Sequence, residues 1–395
     1  DESANYETRA SAYLEALHQL HDQFPEDDEA TVFYALALIA SPQANKDDYA
    51  YRKKAVSILA PVLARRPDHP GVAHYWIHAC DNPEMAQEGL PAARRYAQIA
   101  PASAHAVHMP SHIFARLGLW QDDVQSNLAS KAIAEQQNAQ PDRLHAMQFL
   151  EYAYLQLGER DQAKAVETEA LATKKQDFGK DREGFYFYVQ VSLPALYVME
   201  TKAWKDAYSL TIPEGAGPDY QAKVCWARAI AASRLHDAVG AGEAVKKYDS
   251  ALEAVRKSSY AYVAEQMTTD RDEAHAWLDF AQGKTAEATQ LLESVADKQD
   301  ETGKREVEIP AREMLADMLL ELNRPQDALR QYALSLKVDP NRFNSLSGAA
   351  HAAELAHEPE AARSYYQQLL AGREDGPGSQ NAELVGARAY LNRSR

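Results

Sequence analysis

A set of two alanines and a tyrosine recurs near the C-terminus with a period of 33 residues. The two copies of the set are Ala316, Ala328 and Tyr332, and then Ala349, Ala361 and Tyr365. Small side chains let two helices approach closely, and an aromatic one turn later fills the groove beside them. A period of about 34 residues is the length of one helical hairpin. The pattern therefore predicts an array of stacked helix pairs, which grows by repetition.

The same spacing of 12 residues between two alanines continues upstream in the chain. It places repeat starts near Glu29 and near residues 70, 104, 144, 188, 222, 269, 309 and 342. We predict about nine hairpins in a single solenoid over residues 1–395. Its parts are a leading helix in 1–27, N-terminal repeats in 28–180, C-terminal repeats in 181–379 and a capping helix in 380–395. The uneven starts indicate that several helices exceed the consensus length.

Composition supports an all-α chain, since its 17 glycines and 18 prolines lie mainly between periodic segments. The formal net charge of −16 argues against a nucleic-acid partner and suits metal cations or basic peptides. No apolar run approaches the roughly 18 residues of a membrane span. Cys80 and Cys225 lie 145 residues apart, too far for a disulfide in an extended solenoid.

The alanine and aromatic positions resemble those of the tetratricopeptide repeat (TPR) superfamily over nearly the whole chain. This resemblance implies an all-α fold, a right-handed superhelical solenoid of antiparallel helix pairs. It also implies a concave surface lined by the first helix of each pair, with positions 2, 5, 9, 12 and 13 of each repeat pointing inward. Asp123 departs from the pattern because it replaces the usual alanine of the second helix, so we expect looser or more polar packing there.

Two histidine pairs share this 34-residue period. They are His74 with His78, and His108 with His112. A spacing of four places both members of a pair on one helix face. In the repeat register all four take inward positions 5 and 9, while His105 takes position 2 and Asp81 position 12. Pro110 lies between the members of the second pair, so it either begins a helix or kinks one.

These four imidazoles predict a transition-metal site, since neutral imidazole is a good ligand for copper, zinc or iron. His105 or Asp81 would be a further ligand or would orient one. Because protonated imidazole cannot bind a metal, we expect weaker binding below about pH 6. The alternative is a plain polar helix face, or histidines that bind a peptide.

An enzyme is the second hypothesis, with three of the histidines as ligands and an open coordination position. A His-Glu-x-x-His motif is missing, so a hydrolase would need another general base, and the candidates are Asp81, Glu29 and Glu151. Each is also explained as a solvated or helix-capping carboxylate. Further polar residues predicted to line the groove, beside a peptide or small anionic ligand, are Arg143, His145, Gln148 and Tyr152.

The segments HYWIHACD, from His74, and HAVHMPSHIFARLGLW, from His105, resemble a stretch found in a functionally unassigned group of bacterial TPR-containing proteins. The chain begins at Asp1, so we expect signal-peptide removal or trimming, and we favour export over a cytoplasmic location. Three hypotheses stand. The first is a ligand- or protein-binding solenoid with a metal site, the second a metal-dependent hydrolase or oxidoreductase, and the third a metal-free peptide-binding adaptor.

Overall fold

A computed structural model describes residues 6–45, 49–178, 182–258, 263–373 and 376–393. These residues form helices and connecting loops, and none of them forms a β-strand. The prediction of an all-α fold is therefore confirmed. The chain divides into two compact units, Asp1–Asn138 and Ala139–Arg395. The predicted subdivision at residues 180 and 181 lies outside the described residues.

Unit 1 begins with a single helix that packs on the first of three hairpins. Its helices are α1 (Tyr6–Gln23), α2 (Asp28–Ile39), α3 (Ala50–Arg65), α4 (Pro70–Cys80), α5 (Ala86–Ile99), α6 (Ala104–His108), α7 (Pro110–Leu117) and α8 (Trp120–Gln136). Helices α6 and α7 together form the first arm of the third hairpin. The arm is divided because Pro110 occupies the first turn of α7. Consecutive helices pack against each other, and α2 also contacts α4.

Unit 2 continues the pattern with six further hairpins and a closing helix. Its helices are α9 (Gln140–Gln156), α10 (Arg160–Leu171), α11 (Glu183–Thr201), α12 (Pro218–Arg234), α13 (Ala238–Arg256), α14 (Val263–Ala281), α15 (Thr285–Thr302), α16 (Ala311–Glu321), α17 (Pro325–Val338), α18 (Phe343–Leu355), α19 (Pro359–Leu370) and α20 (Ala382–Arg393). In the hairpin that begins with α11, a short 3₁₀ helix, Trp204–Ser209, replaces the second α-helix. The chain is therefore TPR-like in its succession of helix pairs.

The predicted repeat starts agree closely with the observed helices. Helices α4 and α6 begin at the predicted residues 70 and 104, and α16 and α18 begin within two residues of 309 and 342. Helices α9, α11, α12 and α14 begin four to six residues before their predicted starts. Proline within the first turn of α9 and of α12 favours such early starts, because its fixed φ is already helical.

Within unit 2, residues from opposite ends of the helix order meet around the buried Arg342. Its guanidinium donates to Glu313 at 2.7 Å, to Glu200 at 3.0 Å and to the Tyr152 hydroxyl at 2.7 Å. Asn344 also donates to Glu200, at 2.9 Å. Unit 2 thus uses inward polar positions for its own core. Glu313 neutralises Arg342 within this core.

None of the helices in the described part of the chain combines the length and apolar content that a bilayer crossing requires. Cys80 is a buried free thiol in unit 1, and Cys225 is a buried free thiol in unit 2.

Candidate metal centre

Five histidines of unit 1 come together on α4, α6 and α7. Helix α4 starts at Pro70, and the His69 side chain accepts the amide of Val72 at its N-terminus. Its residues Ala73 and Ile77 are buried in the core of the unit. His74 directly follows Ala73, and His78 directly follows Ile77, so both histidines lie on the neighbouring, partly exposed face of the helix. Local sequence therefore fixes both the start and the rotation of this helix.

The first group of ligand atoms consists of His74, His78 and His105. The Nε2 atom of His74 lies 3.1 Å from that of His78 and 3.1 Å from that of His105. One ring nitrogen from each of the three lies within 4.8 Å of the others. Two nitrogens 3.1 Å apart, each about 2.05 Å from one ion, subtend about 100° at it, near the tetrahedral angle. The spacing therefore fits a shared transition-metal ion.

The second group consists of His108 and His112, whose Nε2 atoms are 3.2 Å apart. Each ring has an oxygen partner at its other nitrogen. His108 Nδ1 lies 2.7 Å from Oδ1 of Asn127, and His112 Nδ1 lies 3.0 Å from Oδ2 of Asp81. An oxygen that only accepts places the proton on Nδ1, so Nε2 presents its lone pair. This is the tautomer of a metal-binding histidine.

The partners of these rings are themselves held in place. Asn127 Nδ2 donates to Oδ1 of the buried Asp123 at 2.7 Å and to its carbonyl oxygen at 3.0 Å, so the amide oxygen faces His108. Arg116 Nε donates to Oδ1 of Asp81 at 2.9 Å, which leaves Oδ2 directed at His112. The polar packing predicted at Asp123 is therefore present, and it supports the histidine site.

Burial favours the neutral rings in the first group. Burial, followed by the neighbouring His105 and His112, lowers the pKa of His74 to about 4. Burial, followed by His74 and His112, lowers the pKa of His78 to about 3, although Asp81 opposes the shift. Both rings are therefore neutral at pH 7. Protons compete with a metal for them only well below the pH of about 6 expected from the sequence.

The structure places His105 and Asp81 differently within the two roles expected for them. His105, predicted as a further ligand or an orienting residue, contributes a nitrogen to the first group. Asp81 orients His112 through Nδ1. The four predicted ligands His74, His78, His108 and His112 lie in two adjacent groups and not in a single set of four nitrogens; the rings of His78 and His112 have centroids 6.2 Å apart. Sequence reasoning missed Asn127 and Arg116, for which spacing gave no signal.

No protein-family model matches the chain, and no curated protein matches its sequence. Solved structures similar to it include a tetratricopeptide repeat protein from Parabacteroides merdae, at 17% identity over 73% of this chain and 97% of that one, with a TM-score of 0.37. Human IFIT1, as a dimer with PPP-AAAA, gives 13% identity, 91% and 78% coverage and a TM-score of 0.42. The TPR domain of P58(IPK) is 14% identical over 93% of this chain and 99% of that one, with a TM-score of 0.27. All three TM-scores are below 0.5, so these similarities carry no conclusion about function.

Other residues predicted to line a ligand groove make contacts within their own unit. In unit 1, Glu29 accepts from Nε2 of His69 at 2.9 Å. In unit 2, Gln148 donates to the Tyr188 hydroxyl at 2.6 Å, and the His145 ring lies edge-on to Phe149. Each is held by contacts within its own unit.

Four of the predicted groove residues, Arg143, Gln148, Glu151 and Tyr152, are buried, which corrects that prediction for them. Tyr152 is 1% exposed and accepts from Arg342, while Arg143 bonds Glu169 and Thr173. Glu151 is 0% exposed, so it cannot reach a substrate as a general base. Burial, together with the nearby Glu167, raises its pKa well above the usual value. The contacts of Arg143 and Tyr152 stabilise unit 2.

Proposed function

We propose that unit 1 is a transition-metal-binding module built on TPR-like helix pairs, with His74, His78 and His105 as ligands. The observation that carries the proposal is the convergence of three imidazole nitrogens from two helices, two of the distances being 3.1 Å. Side chains placed for hydrogen bonding to solvent would not direct three like atoms at one point. An ion shared among the three nitrogens would remove the repulsion between their lone pairs.

The ligand atoms narrow the metal to the nitrogen-preferring first-row ions. Neutral imidazoles favour zinc, copper or iron over magnesium or calcium, which take oxygen ligands. The helical pair His74 and His78 chelates with little loss of entropy, because one helix holds both side chains. A site of this kind beside the helix pairs would bind a ligand or protein segment through the metal or next to it.

An enzyme with the same first group is the second candidate function. The observation that favours it is that three histidine ligands leave one tetrahedral position open, as in catalytic zinc sites. Water bound there would be acidified and become a nucleophile. An exchangeable water in the metal-loaded protein supports the enzyme, and closed coordination supports a structural or sensory site.

Metal content of the purified full-length chain tests the proposal. Elemental analysis and titration of the metal-free protein with Zn²⁺ should show a Zn²⁺ bound at the first group, and a His74→Ala/His105→Ala double variant should lose this ion. His351→Ala, an exposed histidine on α18, is the matched control and should bind like the wild type. Circular dichroism should show that both variants keep their helices. A wild-type protein that binds neither Zn²⁺ nor Cu²⁺ would refute the metal module and leave the metal-free adaptor.

A further inference from the structure

We propose that His108 and His112 form a second metal subsite beside the first, so that unit 1 holds two transition-metal ions. The inference rests on the proposed function, because it places the second ion next to the His74, His78 and His105 group. The two groups are neighbours: the rings of His105 and His108 have centroids 6.5 Å apart.

The first step is the position of the protons. Asp81 accepts from Nδ1 of His112, and the amide oxygen of Asn127 accepts from Nδ1 of His108. A reversed Asn127 amide would place its oxygen against the carbonyl oxygen of Asp123, which can only accept. When neutral, each ring therefore carries its proton on Nδ1.

The second step concerns what lies between the two Nε2 atoms. In these tautomers both atoms present a lone pair, and they are only 3.2 Å apart. Two lone pairs at this distance repel each other unless a cation is placed between them. A metal about 2.05 Å from each nitrogen would see them at about 100°, close to a tetrahedral angle. A shared proton is the competing cation, and it predicts a different outcome below.

The third step is that the second group has supporting residues of its own. Asp123 holds Asn127, and Arg116 holds Asp81, while the first group makes its nitrogen contacts among His74, His78 and His105. Metal-binding histidines are usually oriented through their second nitrogen by a carboxylate or carbonyl. Both His108 and His112 are oriented in this way, through Asn127 and Asp81. The second group therefore has the features of a metal site of its own. Asp81 also supplies negative charge near the cations.

Zinc stoichiometry of the full-length chain tests this inference separately from the first site. We expect two Zn²⁺ per chain by elemental analysis after gel filtration and by titration of the metal-free protein. A His108→Gln/His112→Gln variant should retain one Zn²⁺ with the affinity of the first site unchanged. Asp81→Asn, nearly isosteric, should weaken only the second Zn²⁺, by about 10- to 100-fold. Co²⁺ substitution gives a visible spectrum that reports each ion separately.

The outcomes separate the two proposals. One Zn²⁺ per wild-type chain, with the first group intact, overturns the second subsite and means that His108 and His112 share a proton. Two Zn²⁺ that both survive in the His108→Gln/His112→Gln variant also overturn it, because the second ion then lies elsewhere. No Zn²⁺ in the wild type removes the metal module altogether. If Asp81→Asn fails to fold, the double glutamine variant and the wild-type stoichiometry still decide.

Discussion

Replacement of Arg342 by methionine should destabilise unit 2 strongly, because it leaves two carboxylates without their partner. The Arg342 side chain is 0% exposed, and those of Glu200 and Glu313 are 2% and 4% exposed. Its nitrogens lie 2.8 Å from Glu200 and 2.7 Å from Glu313. Methionine keeps the length of the aliphatic part of the side chain, but it neither neutralises the two carboxylates nor donates hydrogen bonds to them.

The magnitude follows from the number of groups left unpaired. Breaking one buried ion pair by removing a single partner costs about 3–5 kcal/mol. Some of that loss is relieved here, since the buried carboxylates can take up protons once the guanidinium is gone. The Tyr152 hydroxyl also loses the donor that lies 2.7 Å from it. We expect Arg342→Met to lower the free energy of unfolding of unit 2 by about 4 kcal/mol.

Urea unfolding of the full-length chain, followed by circular dichroism, measures this change. Arg324→Met is the matched control, because Arg324 pairs with Asp327 on the surface of the same unit, and an exposed pair contributes about 1 kcal/mol at most. Adding Glu200→Gln and Glu313→Gln to Arg342→Met should recover part of the loss, since the amides carry no charge. A loss under about 1 kcal/mol in Arg342→Met would refute the argument that the buried charges depend on this residue.

Three further predictions concern the site and the core. The pKa of Glu151 is raised in the folded chain, so folding favours its protonated form. Unfolding curves at several pH values should therefore show the wild type losing stability, relative to Glu151→Gln, as the pH rises above the ordinary value of 4.5. The pKa values of His74 and His78 are lowered, so for them stability is lost as the pH falls. The metal-free chain should lose stability as pH falls below 6.5 towards 4, and His78→Gln should reduce this loss. Gly89→Ala would place a Cβ 2.8 Å from that of Cys80, so it should lower stability by about 1–3 kcal/mol and weaken Zn²⁺ binding, as measured by thermal unfolding and titration.

Repeat spacing predicted the helices well because close helix packing imposes a residue type at a fixed interval. Four alanines at these positions are fully buried: Ala288, Ala316, Ala328 and Ala349. Only a small side chain fits at such a position, so the helix contact can be predicted from the residue type. The early starts of α9 and α11 were not predictable in this way, because extra turns at a helix N-terminus extend past the packed positions and leave the period unchanged.

The contacts of Arg342 could not be predicted from the sequence either. Tyr152, Glu200 and Glu313 lie 190, 142 and 29 residues from it along the chain. A repeat register gives the direction of each side chain relative to its own hairpin, but not the accumulated rotation that brings distant hairpins together. Tyr152, predicted to line a ligand groove, instead accepts from Arg342. What the register lacked was the partner on that side.

The same distinction explains why the histidines were found and their supporting residues were not. His105, His108 and His112 follow one helical face at i, i+3 and i+7, because Met109, at the break before Pro110, keeps the helical angles φ −50° and ψ −35°. That face is visible in the spacing. Asn127, in contrast, belongs to the second helix of the hairpin, and its only signal was the unusual Asp123 one turn before it. A polar residue at a packed alanine position is costly unless it is hydrogen-bonded, so such a departure beside a histidine pair indicates an oriented ligand. A substitution that restores alanine at position 123 should therefore affect metal affinity more than the fold.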